Sequence, residues 1–361
     1  MNGASRSGAI SRRTALSATS AGIAASLGKR LTPTTVYAQD STPTATTEPT
    51  DSLSVEILQA VRSLPGTVGV KLWAPAMAGA PAWSVAQNPD EQLFIASAFK
   101  AFVLAETLSQ LEEAIDPKSS TSPAAQFAAG LQTLLPLDES VFVTGSTVFN
   151  PPHLTGEVSL RTALEAMISH SDDTAADIVL KYAGADKVQA FVDDMGLTQT
   201  RIPASGAQFI GYIMGLADWQ ATTFAQVEAN EFPDPRPILN DTITMASSAA
   251  DLVSFYARTL TGEMFQHEST LATYRTILSW SDAIPQAIPL GANGFGKGGR
   301  VSANGSNALS FAGGMYVPQR WIYFTLLLNW TDAESDAGAT EVAYIEAARQ
   351  VFTLVRDAFS R

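Results

Sequence analysis

The chain has 361 residues, of which 46% are hydrophobic and only 16% charged, so it can bury a sizeable core and disorder over most of its length is excluded. A formal charge of −13 repels phosphate, which argues against nucleic acid or an anionic membrane surface and leaves a small molecule as the partner. Cysteine is absent, which excludes disulfides, thiol catalysis and a lipoprotein anchor; the three histidines, His153, His170 and His267, are too scattered for a paired metal motif, and no metal or cofactor is expected.

Residues 1–38 read as an export signal. Arg12-Arg13 precede a mildly apolar stretch to Leu27, and Val36-Tyr37-Ala38 offers a small-residue cleavage site. The pattern resembles a twin-arginine signal, although a basic unstructured N-terminus fits the same residues. The Thr/Pro-rich segment 39–51 is a linker with nothing to pack. The folded part is 52–361. Leu53–Ser63 has helical spacing and stops at Pro65-Gly66, and Thr67–Trp73 and Ala82–Ala86 read as two strands. Leu93–Ala105 is apolar almost throughout and becomes amphipathic over Glu106–Ile115, which predicts one buried helix.

Helical patterns dominate from Ser120 to Met264, at Ser159–Ser169, Thr174–Tyr182, Ala185–Met195 and Ser248–Thr261. Phe295–Ala303, Ala308–Val317 and Trp321–Trp330 return to strands, and Thr340–Phe359 is a terminal helix. The two ends then close one sheet. The expected fold is an α+β, three-layer form of the α/β class: an antiparallel five-stranded sheet flanked by helices, with an inserted all-helical domain. The sheet part is 52–100 and 263–361, and the insert about 101–262. The later apolar runs are too short to span a bilayer, so a soluble monomer is expected after signal removal, in the periplasm or outside the cell.

Three short patterns carry chemistry. Ser97 and Lys100 are the only polar side chains between Leu93 and Ala105, and at i and i+3 they share a helix face. A serine hydroxyl needs a base, and a desolvated lysine supplies one; a lysine snorkelling beside an ordinary serine has the same spacing. Ser171-Asp172-Asp173 lies between two helices, where it suits either a site or a helix cap. Lys297-Gly298-Gly299-Arg300 opens the C-terminal strands, where glycines mark a close approach and the cations suit a carboxylate; a solvated turn is the plain alternative.

In order, the three resemble the S-x-x-K, S-D-N and K-T-G pattern of class A β-lactamases and penicillin-binding proteins. His170–Asp177 extends the likeness, as do Gly184–Gly196 and Ser247–Gly262, over about Ser52 to the C-terminus. The resemblance implies a serine hydrolase of the β-lactamase/transpeptidase-like fold that takes a β-lactam or cell-wall-derived substrate without a cofactor. Ser97 would be acylated and Lys100 would activate it. Ser171 would pass a proton to the leaving nitrogen, and Lys297 would sustain that path and attract a carboxylate. Asp173, Gly298, Gly299 and Arg300 would meet the substrate, with an oxyanion hole at the N–H groups of Ser97 and Arg300.

Three departures set this chain apart from that pattern. Asp173 stands where the family has an asparagine, and an ionised aspartate only accepts hydrogen bonds. Gly298 replaces a threonine, a loss that Arg300 offsets if its side chain turns inward. No E-x-x-L-N glutamate occurs between Gly196 and Asp241; its place falls near Gly206, and Glu228 and Glu231 are the substitutes on offer. Besides β-lactam hydrolysis, a DD-peptidase or esterase with slow deacylation and a non-catalytic ligand-binding protein on the same fold stay open.

Overall fold

The computed structural model describes residues 51–360; the expected export signal at 1–38 and all of the linker except Asp51 lie outside them. Helix α1 (Ser52–Val61) is started by Asp51, whose carboxylate accepts from the Ser54 N–H at 2.8 Å and satisfies one of the amides a first turn leaves unpaired. Strands β1 (Thr67–Ala74) and β2 (Trp83–Gln87) follow, and β3 (Asn293–Ala303), β4 (Ser306–Val317) and β5 (Arg320–Thr331) come from the other end of the chain. All pair antiparallel in the order β2-β1-β5-β4-β3. The last strand therefore joins the N-terminal hairpin to the C-terminal meander, as the sequence led us to expect.

The helices that position the site are α2 (Lys100–Glu113), α3 (Leu160–Ser169), α4 (Asp173–Ala183), α5 (Ala185–Asp194), α6 (Gly206–Met214) and α7 (Ala249–Thr261), and α8 (Ala337–Phe359) ends the fold. Strand β5 lies inside the sheet and buries both faces, so its sequence is apolar without alternation. Ile322, Phe324 and Leu326 pack with Ile57 and Val61 of α1 and Val351 and Phe352 of α8. Tyr323 and Leu327 point the other way, into a second core shared with Phe102 of α2 and Phe255 of α7. Each such side chain contributes about 1.5–3 kcal/mol by leaving water.

The expected single helix over Leu93–Ala105 is corrected. Leu93–Phe94 pairs with Ala246–Ser247 as a short ribbon, Ala96–Phe99 is a 3-10 turn, and α2 begins only at Lys100. Ala96 breaks the run with φ +47°, a left-handed conformation that costs an alanine about 1–2 kcal/mol. The insert also carries a two-stranded ribbon, Leu134–Leu137 against Gly156–Ser159. Among the described residues, no helix is long and apolar enough to cross a membrane, and no group of three or more His, Asp or Glu is placed to hold a metal ion.

Candidate active site

Ser97 sits half-buried in the 3-10 turn, directly after the left-handed Ala96. Its neighbour Ile95 is clamped from two sides: the N–H donates to Met245 O at 2.8 Å, and the carbonyl accepts from Ser310 Oγ at 2.7 Å. Strand β3 comes close enough that a Cβ on Gly299 would lie 2.6 Å from both Ser97 N and Ile95 O. Only glycine permits that approach.

Lys100 is fully buried, and its ammonium has three acceptors. They are the Ser171 carbonyl, Ser171 Oγ at 3.2 Å and Asp173 Oδ1 at 2.6 Å. Three donors thus meet three partners, which is how a cation is tolerated in a core. Ser171, like Ala96, is a non-glycine residue in the left-handed region, at φ +57°. That conformation turns both of its oxygens to Lys100. Such outliers gather where the surroundings over-determine the backbone, as they do at active sites.

The Ser171-Asp172-Asp173 triplet is cap and site at once. Asp172 is the cap: it is buried, one oxygen accepts from Ala175 N at 2.8 Å, and the other from Val148 N and Phe149 N. With Asp172 fixed, its flanking residues face the lysine. Gly145 leaves room for the free oxygen of Asp173, since a Cβ there would lie 2.6 Å from Oδ2.

Lys297, on β3, is buried and donates only to the carbonyl of Gly298, at 3.0 Å, with Asp282 3.9 Å away. Burial and, after it, the positive charge of Lys100 push its ammonium down to about pKa 7, against a smaller opposing pull from Asp282 and Asp173. Gly298 has no room for a larger residue: a Cβ there would sit 2.6 Å from the Cβ of Ala283. The Arg300 side chain does not turn inward to compensate. It is 70% exposed and engages Glu341 at 2.9 and 3.1 Å, so the inward turn on which compensation for Gly298 depends is not made.

These side chains border two cavities. Ser97, Ser171, Asp173, Asp282 and Lys297 line a polar cleft of about 440 Å³. A second chamber of about 540 Å³ also borders Ser97, walled largely by apolar side chains of α6 and its surroundings. Of the two loop glutamates, Glu228 reaches that wall; Glu231 is not among the residues lining it.

Asp177 escaped notice in the sequence. It is buried beside the chamber, and burial, opposed by its hydrogen bonds, raises its carboxyl to about pKa 6. It accepts from Gly206 N at 2.6 Å, Ser205 Oγ at 2.8 Å and Ala207 N at 3.2 Å, and so holds the start of α6. The signal was its i+4 spacing from Asp173. A Cβ on Gly206 would lie 3.2 Å from Asp177 Oδ1, so the place where the resemblance puts a glutamate is taken by a backbone amide on Asp177.

The fold resembles solved β-lactamase structures. A β-lactamase from Chitinophaga pinensis matches with TM-score 0.63 and 15% identity, covering 85% of this chain and 99% of that one. A class A β-lactamase from Mycobacterium abscessus matches with TM-score 0.60 and 16% identity, covering 86% and 100%, and a protein named PBP-A with TM-score 0.59 and 15% identity, covering 86% and 98%. At such identities the likeness concerns the fold. Comparison with curated protein sequences gives no match. The β-lactamase enzyme family model matches residues 53–314, over the segments that hold Ser97, Lys100, Ser171 and Lys297, and the chain belongs to that family of serine hydrolases.

Proposed function

We propose that Ser97 is acylated by a β-lactam or a related carboxylate-bearing acyl substrate, and that release of the acyl group is slow. The observation that carries the reading is the buried Lys100, one turn from Ser97 and hydrogen-bonded to Ser171. One ammonium proton of Lys100 shifts to Asp173 Oδ1, 2.6 Å away, and the Ser97 Oγ–carbon bond forms as the serine proton passes to the freed Lys100 nitrogen. Lys100 returns a proton through Ser171 Oγ to the leaving nitrogen as the carbon–nitrogen bond breaks. The N–H groups of Ser97 and Arg300, brought near by Gly299, take the oxyanion. Protonated Lys297 draws the substrate carboxylate into the polar cleft.

Water must then cleave the acyl-enzyme. Gly206 offers no carboxylate to activate it, which supports slow release over fast turnover. Residues 1–38 direct export, so the enzyme works in the periplasm or outside the cell, as a monomer.

A chromogenic cephalosporin tests this reading, with colour and intact mass followed together. A long-lived adduct that disappears in Ser97→Ala is the expected result. Rapid colour without an adduct points to full β-lactamase turnover. No adduct with any β-lactam refutes penicillin recognition.

A further inference from the structure

Ser97 lines two cavities, one that holds Ser171, Asp282 and Lys297 and one that is mostly apolar. The chamber behind it is lined by Phe94, Phe209, Ile210, Met214, Phe232 and Val301, with Phe232 43% exposed at its mouth. Three of the four charged side chains that border it have other partners. Asp177 is occupied by three donors of the α6 start, Asp173 holds Lys100, and Arg300 engages Glu341. Glu228 is exposed. What the chamber offers a ligand is therefore mostly apolar surface.

The position of the proton donor orients the substrate. Ser171 and Lys297 line the polar cleft and not the chamber. A leaving atom that takes its proton from Ser171 departs into the polar cleft. The acyl group retained on Ser97 Oγ is then left the chamber, which Ser97 also lines.

We propose that the chamber is an acyl-chain pocket and that this enzyme accepts esters of apolar carboxylic acids, aliphatic or arylalkyl. The inference rests on Ser97 as the nucleophile. Serine oxygen bonds to the acyl carbon, the ester carbon–oxygen bond breaks, and the serine proton goes to the departing alkoxide by way of Lys100 and Ser171. Water then cleaves the acyl-serine, its hydrogen restores the hydroxyl, and the free carboxylic acid leaves.

The test is kcat/KM on p-nitrophenyl acetate, butyrate, hexanoate and octanoate, with intact mass to locate the acyl group. Specificity should rise about fourfold per added methylene, the factor for burying one methylene at about 0.8 kcal/mol, and level off once the chamber is full. Ile210→Trp fills the chamber and should flatten the series. Phe232→Lys, at an exposed position that leaves the core alone, should lower the octanoate-to-acetate ratio even if the tryptophan variant does not fold. Equal rates along the series, with Ser97 acylated, overturn the pocket and leave the nucleophile standing. No adduct on Ser97 from any ester, together with none from a cephalosporin, overturns both.

Discussion

Replacing Lys297 with methionine shortens the side chain by one atom and removes its charge, and it should make the protein more stable while weakening its hold on carboxylates. The ammonium falls from its ordinary 10.5 to about 7 on folding. At about 1.36 kcal/mol per pH unit, folding at pH 7 costs on the order of 4 kcal/mol that a methionine does not incur. The variant loses the hydrogen bond to the Gly298 carbonyl, worth about 1 kcal/mol, so a net gain of about 3 kcal/mol is expected. The sign gives a second check. Between pH 7 and 10.5 the unfolded chain holds a proton that the native lysine has released, so wild-type stability climbs with pH through that window. The variant has no such climb, and its advantage should shrink by about 2 kcal/mol from pH 7 to pH 9. Urea unfolding at both pH values, with equal m-values required, measures both numbers. A variant that is less stable at pH 7, or whose advantage is the same at both pH values, refutes the reasoning.

Three further outcomes are expected. Asp173→Asn gains a donor for a substrate amide, so acylation by a chromogenic cephalosporin in stopped flow should rise about tenfold; losing the charge beside Lys100 should cost about 1–2 kcal/mol in thermal unfolding. Asp177 holds its proton up to about pH 6 in the native state, so its contribution to stability is full below the unfolded value of 3.8 and is lost as pH rises through 6. Relative to Asp177→Asn, the wild type should therefore lose about 2.4 kcal/mol between pH 4 and pH 7 in denaturant titrations. Glu228→Gln should leave the acyl-enzyme lifetime, read by intact mass, almost unchanged, because the side chain is exposed; a lifetime lengthened roughly 100-fold or more would make it the base that activates water.

The sheet was legible because its strands carry their own punctuation. Asn304-Gly305 and Pro318-Gln319 end β3 and β4 near the places the turns predict, with β3 starting two residues earlier than read. Leu93–Ala105 was not legible. A segment buried on all sides has no period, so a strand pair, a kink at Ala96, a 3-10 turn and a helix look alike in sequence. Ser97 and Lys100 could be paired by spacing alone. Joining them to Ser171 and Lys297 needed the resemblance, since 71 residues separate Lys100 from Ser171. Ser171-Asp172-Asp173 was ambiguous for a physical reason: one residue caps the helix while its neighbours face the lysine. The apolar chamber left no trace because its wall is gathered from distant segments, each of which reads as ordinary core.

Gly298 and Ala283 have a consequence for how this site changes over generations. The two Cβ positions compete for one volume, so a threonine at 298 displaces the backbone around Ala283 unless that alanine first becomes glycine. Each single step is penalised or idle, and only the pair together opens a path toward a hydroxyl beside Lys297. Selection on a β-lactam that proceeds one substitution at a time would thus be steered away from position 298. Improvements should surface first at Asp173, where a single exchange to asparagine meets no such obstacle.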